Sequence, residues 1–227
     1  MPRLKPLLAV LVFLAVLLLI SLVDSLALMF HSSLTGLTPE ESMVRVMWLL
    51  TLLNESILIV AALLSAKTVL KRLPPIALTP RGAGIGVVTG LGGFLIASGL
   101  ALLICALTGF KPPRWYVEAL TPKNNYQLAF SLAVIWGLVG PGEELFFRGF
   151  IQECFSDWKG PATSILIASA FFALAHLTPD LWVRSLTSFT VGLLYGFIYE
   201  RTRSTTPPAL AHAINDTLAI LTLRWFG

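Results

Sequence analysis

The sequence predicts an all-α, polytopic membrane protein with about seven transmembrane helices. The chain has 227 residues, of which 56% are hydrophobic and only 12% are charged. Its mean hydropathy of +0.82 is far above that of an ordinary soluble domain. A bilayer core of about 30 Å is crossed by roughly 20 apolar residues in a helix. The sequence contains seven uncharged or nearly uncharged runs of about this length, which accounts for the predicted number of helices.

The seven runs divide the chain into two parts. They lie near residues 7–29, 44–66, 84–107, 126–157 (interrupted), 161–177, 182–199 and 208–226. Residues 1–125 contain three predicted helices that are nearly free of internal charge, and residues 126–227 contain four that carry almost all the polar groups. The first run is longer than the apolar region of a usual signal peptide, so we interpret it as a retained span.

The distribution of charge and the cysteine content indicate the orientation in the membrane and argue against several other kinds of protein. With a cytoplasmic N-terminus, nine Lys and Arg residues fall in the inner loops and six in the outer segments, which favours this orientation in a multi-pass protein of the cell membrane. Because the cations lie mainly in loops between spans, we expect no nucleic-acid partner. Cys105 and Cys154 lie in apolar runs without CxxC spacing, which predicts neither a disulfide framework nor a zinc knuckle.

Small residues in the third run predict close helix packing. The stretch "GAGIGVVTGLGG" lacks the spacing of a nucleotide-binding loop. Gly86 and Gly90 are four residues apart and share one helical face, so a neighbouring helix can approach closely there.

Several ionisable residues lie within predicted spans. A charge near the bilayer centre costs about 3 kcal/mol on insertion scales, so each such residue is a functional candidate. The candidates are Glu55, Glu143, Glu144, Arg148, Glu153, His176, His212 and Asp216.

The sequence "GPGEELFFRG" distinguishes two adjacent glutamates. Glu144 and Arg148 have the i, i+4 spacing at which a carboxylate and a guanidinium meet on a helix. Glu143 is rotated by about 100° and is left free for another task. The preceding Gly140-Pro141-Gly142 predicts a kink or a helix restart, which would place Glu143 in a first helical turn that favours an ionised carboxylate.

Two later helices carry histidines. His176 lies near the end of its run, with Phe172 one turn earlier on the same face. His212 and Asp216 are four residues apart on the last helix, and Asn215 borders the same face.

This set of residues is suited to hydrolysis. A glutamate can take a proton from water, and imidazole or amide groups can stabilise a tetrahedral oxyanion. Glu143, His176 and His212 could alternatively serve as zinc ligands.

Three motifs in this order resemble the CPBP family of intramembrane proteases, which includes type II CAAX prenyl endopeptidases and bacteriocin-processing or self-immunity proteins. The motifs are EExxxR (Glu143, Glu144 and Arg148), FxxxH (Phe172 and His176) and HxxxN/D (His212 and Asp216), and the resemblance covers about residues 126–225.

The resemblance implies a role for each motif residue. Glu143 would be the general base and His176 would hold the attacking water. Glu144 and Arg148 would form a structural pair, and His212 with the residue four positions later would stabilise the oxyanion. Many members have Asn at that last position. Asp216 cannot donate when it is ionised, so the donor here would be His212 or Asn215.

Metal dependence is left open by the resemblance, because members have been described both as metalloproteases and as glutamate proteases. We favour the glutamate and water mechanism without a cofactor, with zinc as the alternative. A single site also requires an axial offset of roughly 15 Å between the helices bearing His176 and His212, at 1.5 Å per residue. Helix tilt or a sunken 200–207 loop would have to provide this offset.

Two other functions compete with proteolysis. A non-catalytic immunity or scaffold protein would retain the fold for binding. A proton-coupled transporter would use intramembrane charges as a path, and Asn54, Glu55 and Ser56 form a polar cluster in the second span. For a protease, the expected partners are the bilayer and a membrane-anchored peptide, such as a prenylated C-terminus, a leader peptide or a C-terminal anchor.

Overall fold

The computed structural model describes residues 4–226, and this part of the chain is helical without any strand. The α-helices are α1 (Leu4–Thr35), α2 (Pro39–Ser65), α3 (Pro80–Thr108), α4 (Arg114–Leu120), α5 (Asn125–Val134), α6 (Gly140–Phe146), α7 (Glu153–Lys159), α8 (Pro161–Ala175), α9 (Trp182–Thr202) and α10 (Thr206–Phe226). Wider π-helical turns follow α2 (Ala66–Leu70) and join α5 to α6 (Ile135–Val139) and α6 to α7 (Phe147–Gln152). A 3₁₀ turn, Pro179–Leu181, precedes α9.

The fold is that of a multi-pass membrane protein, as predicted. All seven predicted apolar runs lie in helical segments. Within residues 4–226, five segments are long and apolar enough to cross a bilayer: Leu4–Thr35, Pro39–Leu70, Pro80–Thr108, Asn125–Lys159 and Pro179–Thr202. The 15-residue α8 is apolar but shorter than a full span. The 21-residue α10 bears polar residues over its first half and is not among the five.

The fourth span continues through Gly140-Pro141-Gly142 without a free helix end, but α6 begins at Gly140 after the π-helical turn, and Glu143 lies in the first turn of α6 as predicted. Residues 125–159 form one continuous helical segment, and Gly140 itself has right-handed helical dihedrals. Pro141 follows directly after a π-helical turn, which is one way in which helices accommodate the ring of a proline. Glu143 therefore lies in the middle of a long helical segment, and the expected stabilisation of its charge by a free helix start does not apply.

Small residues bring helices into backbone contact around this segment. A Cβ atom at Gly140 would lie 2.8 Å from the carbonyl oxygen of Ala209 on α10. On α3, a Cβ atom at Gly86 would lie 2.8 Å from the carbonyl oxygen of Pro207. One at Gly90 would lie 2.7 Å from that of Ala211. The predicted close approach at Gly86 and Gly90 is confirmed, and the partner helix is α10.

Polar side chains of the long segment are bonded to α9. Arg148 Nη2 donates to the carbonyl oxygen of Gly192 at 3.0 Å, and Gln152 Nε2 donates to that of Gly196 at 3.2 Å. One turn further, the Tyr199 hydroxyl donates to Glu153 Oε1 at 2.9 Å. Glu153 also forms an ion pair with Arg72. These bonds satisfy polar groups that would be costly in lipid, and they fix residues 148–153 against α9.

The start of α10 is held by the loop between α2 and α3. Ser204 Oγ donates to the Ala77 carbonyl oxygen at 2.7 Å, and the Thr205 amide donates to the Pro75 carbonyl oxygen at 2.9 Å. Both Ser204 and Thr205 are buried. The connection between α9 and α10 therefore lies inside the protein. A sunken 200–207 loop was one of the two expected ways to bring His176 and His212 to the same depth, and the other was helix tilt.

Candidate active site

Three helical segments bring the predicted site residues together around Glu143. Glu143 lies on α6, His176 ends α8, and His212 lies in the second turn of α10. Glu143 Oε1 is 3.8 Å from His176 Nε2, and Glu143 Oε2 is 3.5 Å from His212 Nε2. One carboxyl group therefore lies between two imidazole rings whose helices are far apart in the sequence.

Glu144 supports the site from behind. Its Oε1 accepts from Arg148 Nη1 at 2.9 Å, and both side chains are fully buried. The i, i+4 pairing expected from the sequence is present. The same oxygen also lies 3.1 Å from His212 Nδ1. Because a carboxylate only accepts, His212 carries its Nδ1 proton toward Glu144 and directs Nε2 toward Glu143.

The ring of His176 is oriented by its own helix. Its Nδ1 lies 2.8 Å from the carbonyl oxygen of Phe172, one turn earlier. A carbonyl oxygen can only accept, so Nδ1 carries the proton and Nε2 of the neutral ring has a free lone pair. This lone pair faces the Glu143 carboxylate across 3.8 Å, which is too far for a direct hydrogen bond and suits an intervening water.

Asp216 and Asn215 lie beside His212, as their spacing predicted. Asp216 Oδ2 is 3.5 Å from His212 Nε2. The Asn215 amide donates to Asp216 Oδ1 at 2.9 Å, so one of its two N–H groups is engaged by its neighbour. The ring of His212 is thereby surrounded by three carboxyl groups, those of Glu143, Glu144 and Asp216.

Aromatic rings complete the frame around the histidines. The Phe172 ring packs edge-on against His176 and His212, with centroids 4.7 and 5.8 Å away. The Arg148 guanidinium lies over the same ring, 4.8 Å from its centroid. Tyr195 stacks on His212 at 5.2 Å, a contact that no sequence motif indicated. The rings restrict both imidazoles to one orientation, which favours a pre-organised site.

The site opens into a cavity of about 560 Å³. Its polar wall includes Glu55, Glu143, His176, Arg184, His212 and Asp216, and its apolar wall includes Phe13, Leu17, Ile20, Leu58, Phe94 and Ala97 from α1 to α3. Tyr116 of α4 also lines it, 5.6 Å from the Arg184 guanidinium. Arg184 is one of the six cations that the sequence assigns to the outer segments, and no motif indicated its place in the cavity wall. The site therefore uses helices from both halves of the chain.

A zinc ion at this site would be held by Glu143, His176 and His212. Among residues 4–226, no group of three or more His, Cys, Asp and Glu side chains has an arrangement that could hold a metal ion.

This arrangement can activate a water molecule. Glu143 and His176 each offer an acceptor atom to one water molecule. His212 lies on the opposite side of the Glu143 carboxyl group, and its Nε2 is also directed toward this group. A base, a second acceptor and a potential oxyanion donor around one position are the requirements for hydrolysis of an acyl bond.

Comparison with known proteins identifies the C-terminal part of the chain. Residues 125–218 match the family model described as Rce1-like, "Type II CAAX prenyl endopeptidase Rce1-like". The matched range includes Glu143, His176, His212 and Asp216, and it confirms the resemblance inferred from the three motifs. The comparisons with curated proteins and with solved structures give no match.

Proposed function

We propose that this chain, whose residues 125–218 match the family model of Rce1-like type II CAAX prenyl endopeptidases, is an intramembrane endopeptidase in which Glu143 activates water. The substrate is a membrane-associated protein with its scissile peptide bond near the bilayer. The observation that carries the proposal is the position of the Glu143 carboxylate between the Nε2 atoms of His176 and His212.

The first step is attack by water. The water donates one hydrogen bond to Glu143 and one to Nε2 of His176, which leaves a lone pair directed at the substrate carbonyl. The water oxygen forms a bond to the carbonyl carbon, Glu143 takes the proton, and the carbonyl π electrons move to the oxygen. A glutamate held in this way acts as the base, and the Nδ1–H bond of His176 to Phe172 keeps the lone pair in place.

The second step returns the proton. The carbon–nitrogen bond breaks as the oxyanion re-forms a carbonyl, and Glu143 gives its proton to the departing amine. The proton taken from water thus leaves on the new N-terminus, and the carboxylate is regenerated. The product acid and amine together contain all the atoms of the substrate and one water.

His212 is the proposed donor to the oxyanion. Three carboxyl groups lie around its ring, and a ring protonated on both nitrogens gives Glu144 one donor and directs the other into the site. Asn215 is the second donor candidate, since only one of its N–H groups is engaged by Asp216. Asp216 positions both groups. Glu144 and Arg148 hold His212 from the opposite side.

The cavity supports a substrate that is partly lipid. Apolar side chains of α1, α2 and α3 line it together with those of later helices, and they lead to the polar site. This arrangement suits a substrate whose lipid or anchor contacts the apolar wall while its peptide reaches Glu143. A prenylated C-terminus fits this description best, and a leader peptide or an anchor helix is the other substrate class.

The proposed location is the cell membrane, with the N-terminus in the cytoplasm. Lys5 of α1 pairs with Asp157 at 2.7 Å, and both Arg72, in the loop before α3, and Arg203, just after α9, approach Glu153, so these basic residues gather at one end of the protein. An excess of cations at one end is typical of the cytoplasmic face.

The test compares peptide termini by mass spectrometry in cells that produce wild-type protein or Glu143→Gln at matched abundance. We expect a set of termini to be lost in Glu143→Gln, because the amide cannot accept the proton from water. Glu40→Gln, at an exposed position, is the matched control and should keep the wild-type termini. Unchanged termini in Glu143→Gln would refute catalysis and favour a binding role.

A further inference from the structure

A buried carboxyl group outside the matched range borders the active site. Glu55 lies on α2 and is only 7% exposed. Its Oε2 is buried and has no hydrogen-bond partner among residues 4–226. A buried oxygen without a donor costs free energy, more so in a membrane protein. Its position therefore requires a compensating partner.

The backbone is shaped so that Glu55 reaches Glu143. A Cβ atom at Gly142 would lie 2.7 Å from Glu55 Oε2 and 3.1 Å from Ile59 Cγ1, so only glycine lets α2 pack this closely beside the catalytic turn. Gly142 directly precedes Glu143, so the Glu55 carboxyl group lies beside the catalytic glutamate, and both side chains line the same cavity. Glu143 Oε2 also has no hydrogen-bond partner in the described part of the chain.

The neighbours of Glu55 have other tasks. The Asn54 amide donates to Asp24 Oδ1 on α1 at 2.9 Å, and the Ser56 hydroxyl donates to the Leu52 carbonyl oxygen at 2.7 Å. Asn54 thus holds α2 to α1, and the Ser56 hydroxyl is bonded within α2 itself. Of the polar cluster in the second span, only Glu55 is directed at the catalytic glutamate.

Two neighbouring buried carboxyl groups can form a hydrogen bond with each other when one of them is protonated. When both are ionised they repel, whereas a single proton between them makes one a donor and the other an acceptor. We propose that Glu55 is a positioning residue of the active site, whose carboxyl group shares one proton with Glu143 and directs it toward His176. This inference rests on the proposed proteolytic role of Glu143.

The shared proton is not consumed in the reaction. Glu143 accepts the proton of the attacking water through the oxygen that faces His176, while the contact with Glu55 stays on its other side. The proton that Glu143 gives to the leaving amine is the one from water. Glu55 thus acts through the orientation of Glu143 and does not touch the substrate.

The kinetic test uses two variants of the full chain in lipid. Glu55→Gln keeps an N–H donor for Glu143, and Glu55→Met keeps the length but removes the donor. We expect Glu55→Gln to keep kcat within about threefold of wild type, and Glu55→Met to lose at least about tenfold in kcat with little change in KM. Wild-type kcat in Glu55→Met would overturn the inference, as would equal losses in both variants.

A second measurement needs neither substrate nor the nonpolar variant. The infrared difference spectrum between wild type and Glu55→Gln should contain the C=O stretch of a protonated carboxyl group, and Glu143→Gln should change the same band. A difference spectrum with carboxylate bands alone would overturn the shared proton. This result is separable from the proposed function, because an inactive chain with the carboxyl pair would refute proteolysis while leaving the pair intact.

Discussion

Arg148 and His212 donate to the same carboxylate oxygen, Oε1 of Glu144, at 2.9 and 3.1 Å. This single atom connects the ion pair inside the fourth span to the imidazole of the last helix. Glu144 is therefore a structural acceptor for a guanidinium and an orienting group for a ring at the active site.

Glu144→Gln should destabilise the protein and reduce its activity. The substitution leaves the Arg148 charge buried without its counter-charge, and removing one partner of such a pair typically costs about 3–5 kcal/mol. Unfolding in detergent would measure the loss. The double variant Glu144→Gln, Arg148→Met should recover part of it, since the buried charge is gone as well. Equal stability of Glu144→Gln and wild type would contradict the buried pairing.

Gly90→Ala should weaken the packing of α3 on α10, whereas Gly92→Ala should not. A Cβ atom at Gly90 would lie 2.7 Å from the Ala211 carbonyl oxygen, and one at Gly92 has nothing within 4 Å. Overpacking of this kind costs about 1–3 kcal/mol. Thermal unfolding of both variants is the measurement, and because His212 follows Ala211, peptidase activity should fall with Gly90→Ala only. Similar unfolding temperatures for the two variants would refute the contact.

Tyr195→Phe should be tolerated, and Tyr195→Leu should not. The Tyr195 ring stacks on His212, but its buried hydroxyl has no partner among residues 4–226. Phe keeps the ring and removes a buried hydroxyl group whose missing hydrogen bond costs free energy of folding. Leu removes an aromatic contact worth about 0.5–1.5 kcal/mol and frees the imidazole to rotate. Comparison of kcat for the two variants, with unfolding as a control, tests this; a large loss in Tyr195→Phe would indicate an undetected role for the hydroxyl.

Chelation should leave activity intact if Glu143 and His176 alone activate water. Membranes that contain the protein would be treated with a strong chelator and assayed before and after dialysis, with metal content measured on the same samples. The zinc alternative, with Glu143, His176 and His212 as ligands, makes the opposite forecast: activity is lost and returns when zinc is added. Glu143→Gln should stay inactive in both conditions.

Local spacing predicted much of this site. Glu144 and Arg148 could be paired from the sequence because i, i+4 residues meet on any helix, even though a π-helical turn begins between them. The same rule placed Asp216 beside His212. The helices themselves followed from apolar runs, since lipid requires every backbone group to be bonded within its own segment.

Contacts between distant segments could not be predicted in this way. Glu144 and His212 are 68 residues apart, and no periodicity relates α6 to α10. The approach of Glu55 to Glu143 depends on the missing side chain of Gly142, a residue that the sequence related only to a kink or a helix restart. Gly140-Pro141-Gly142 predicted a kink or a helix restart because proline removes a helix donor, and α6 does begin there, but the adjacent π-helical turn leaves no free helix end.

The cavity wall contains residues from both parts of the chain, those inside the matched range and those before it. The matched range contains Glu143, both histidines and the groups that hold them, whereas α1, α2 and α3 contribute part of the apolar wall of the cavity. A chimaera that exchanged residues 1–125 could therefore acquire a different lipid preference and keep the same reaction. Such an exchange would have one constraint, because the incoming second helix must bring an acidic or amide side chain to the place of Glu55.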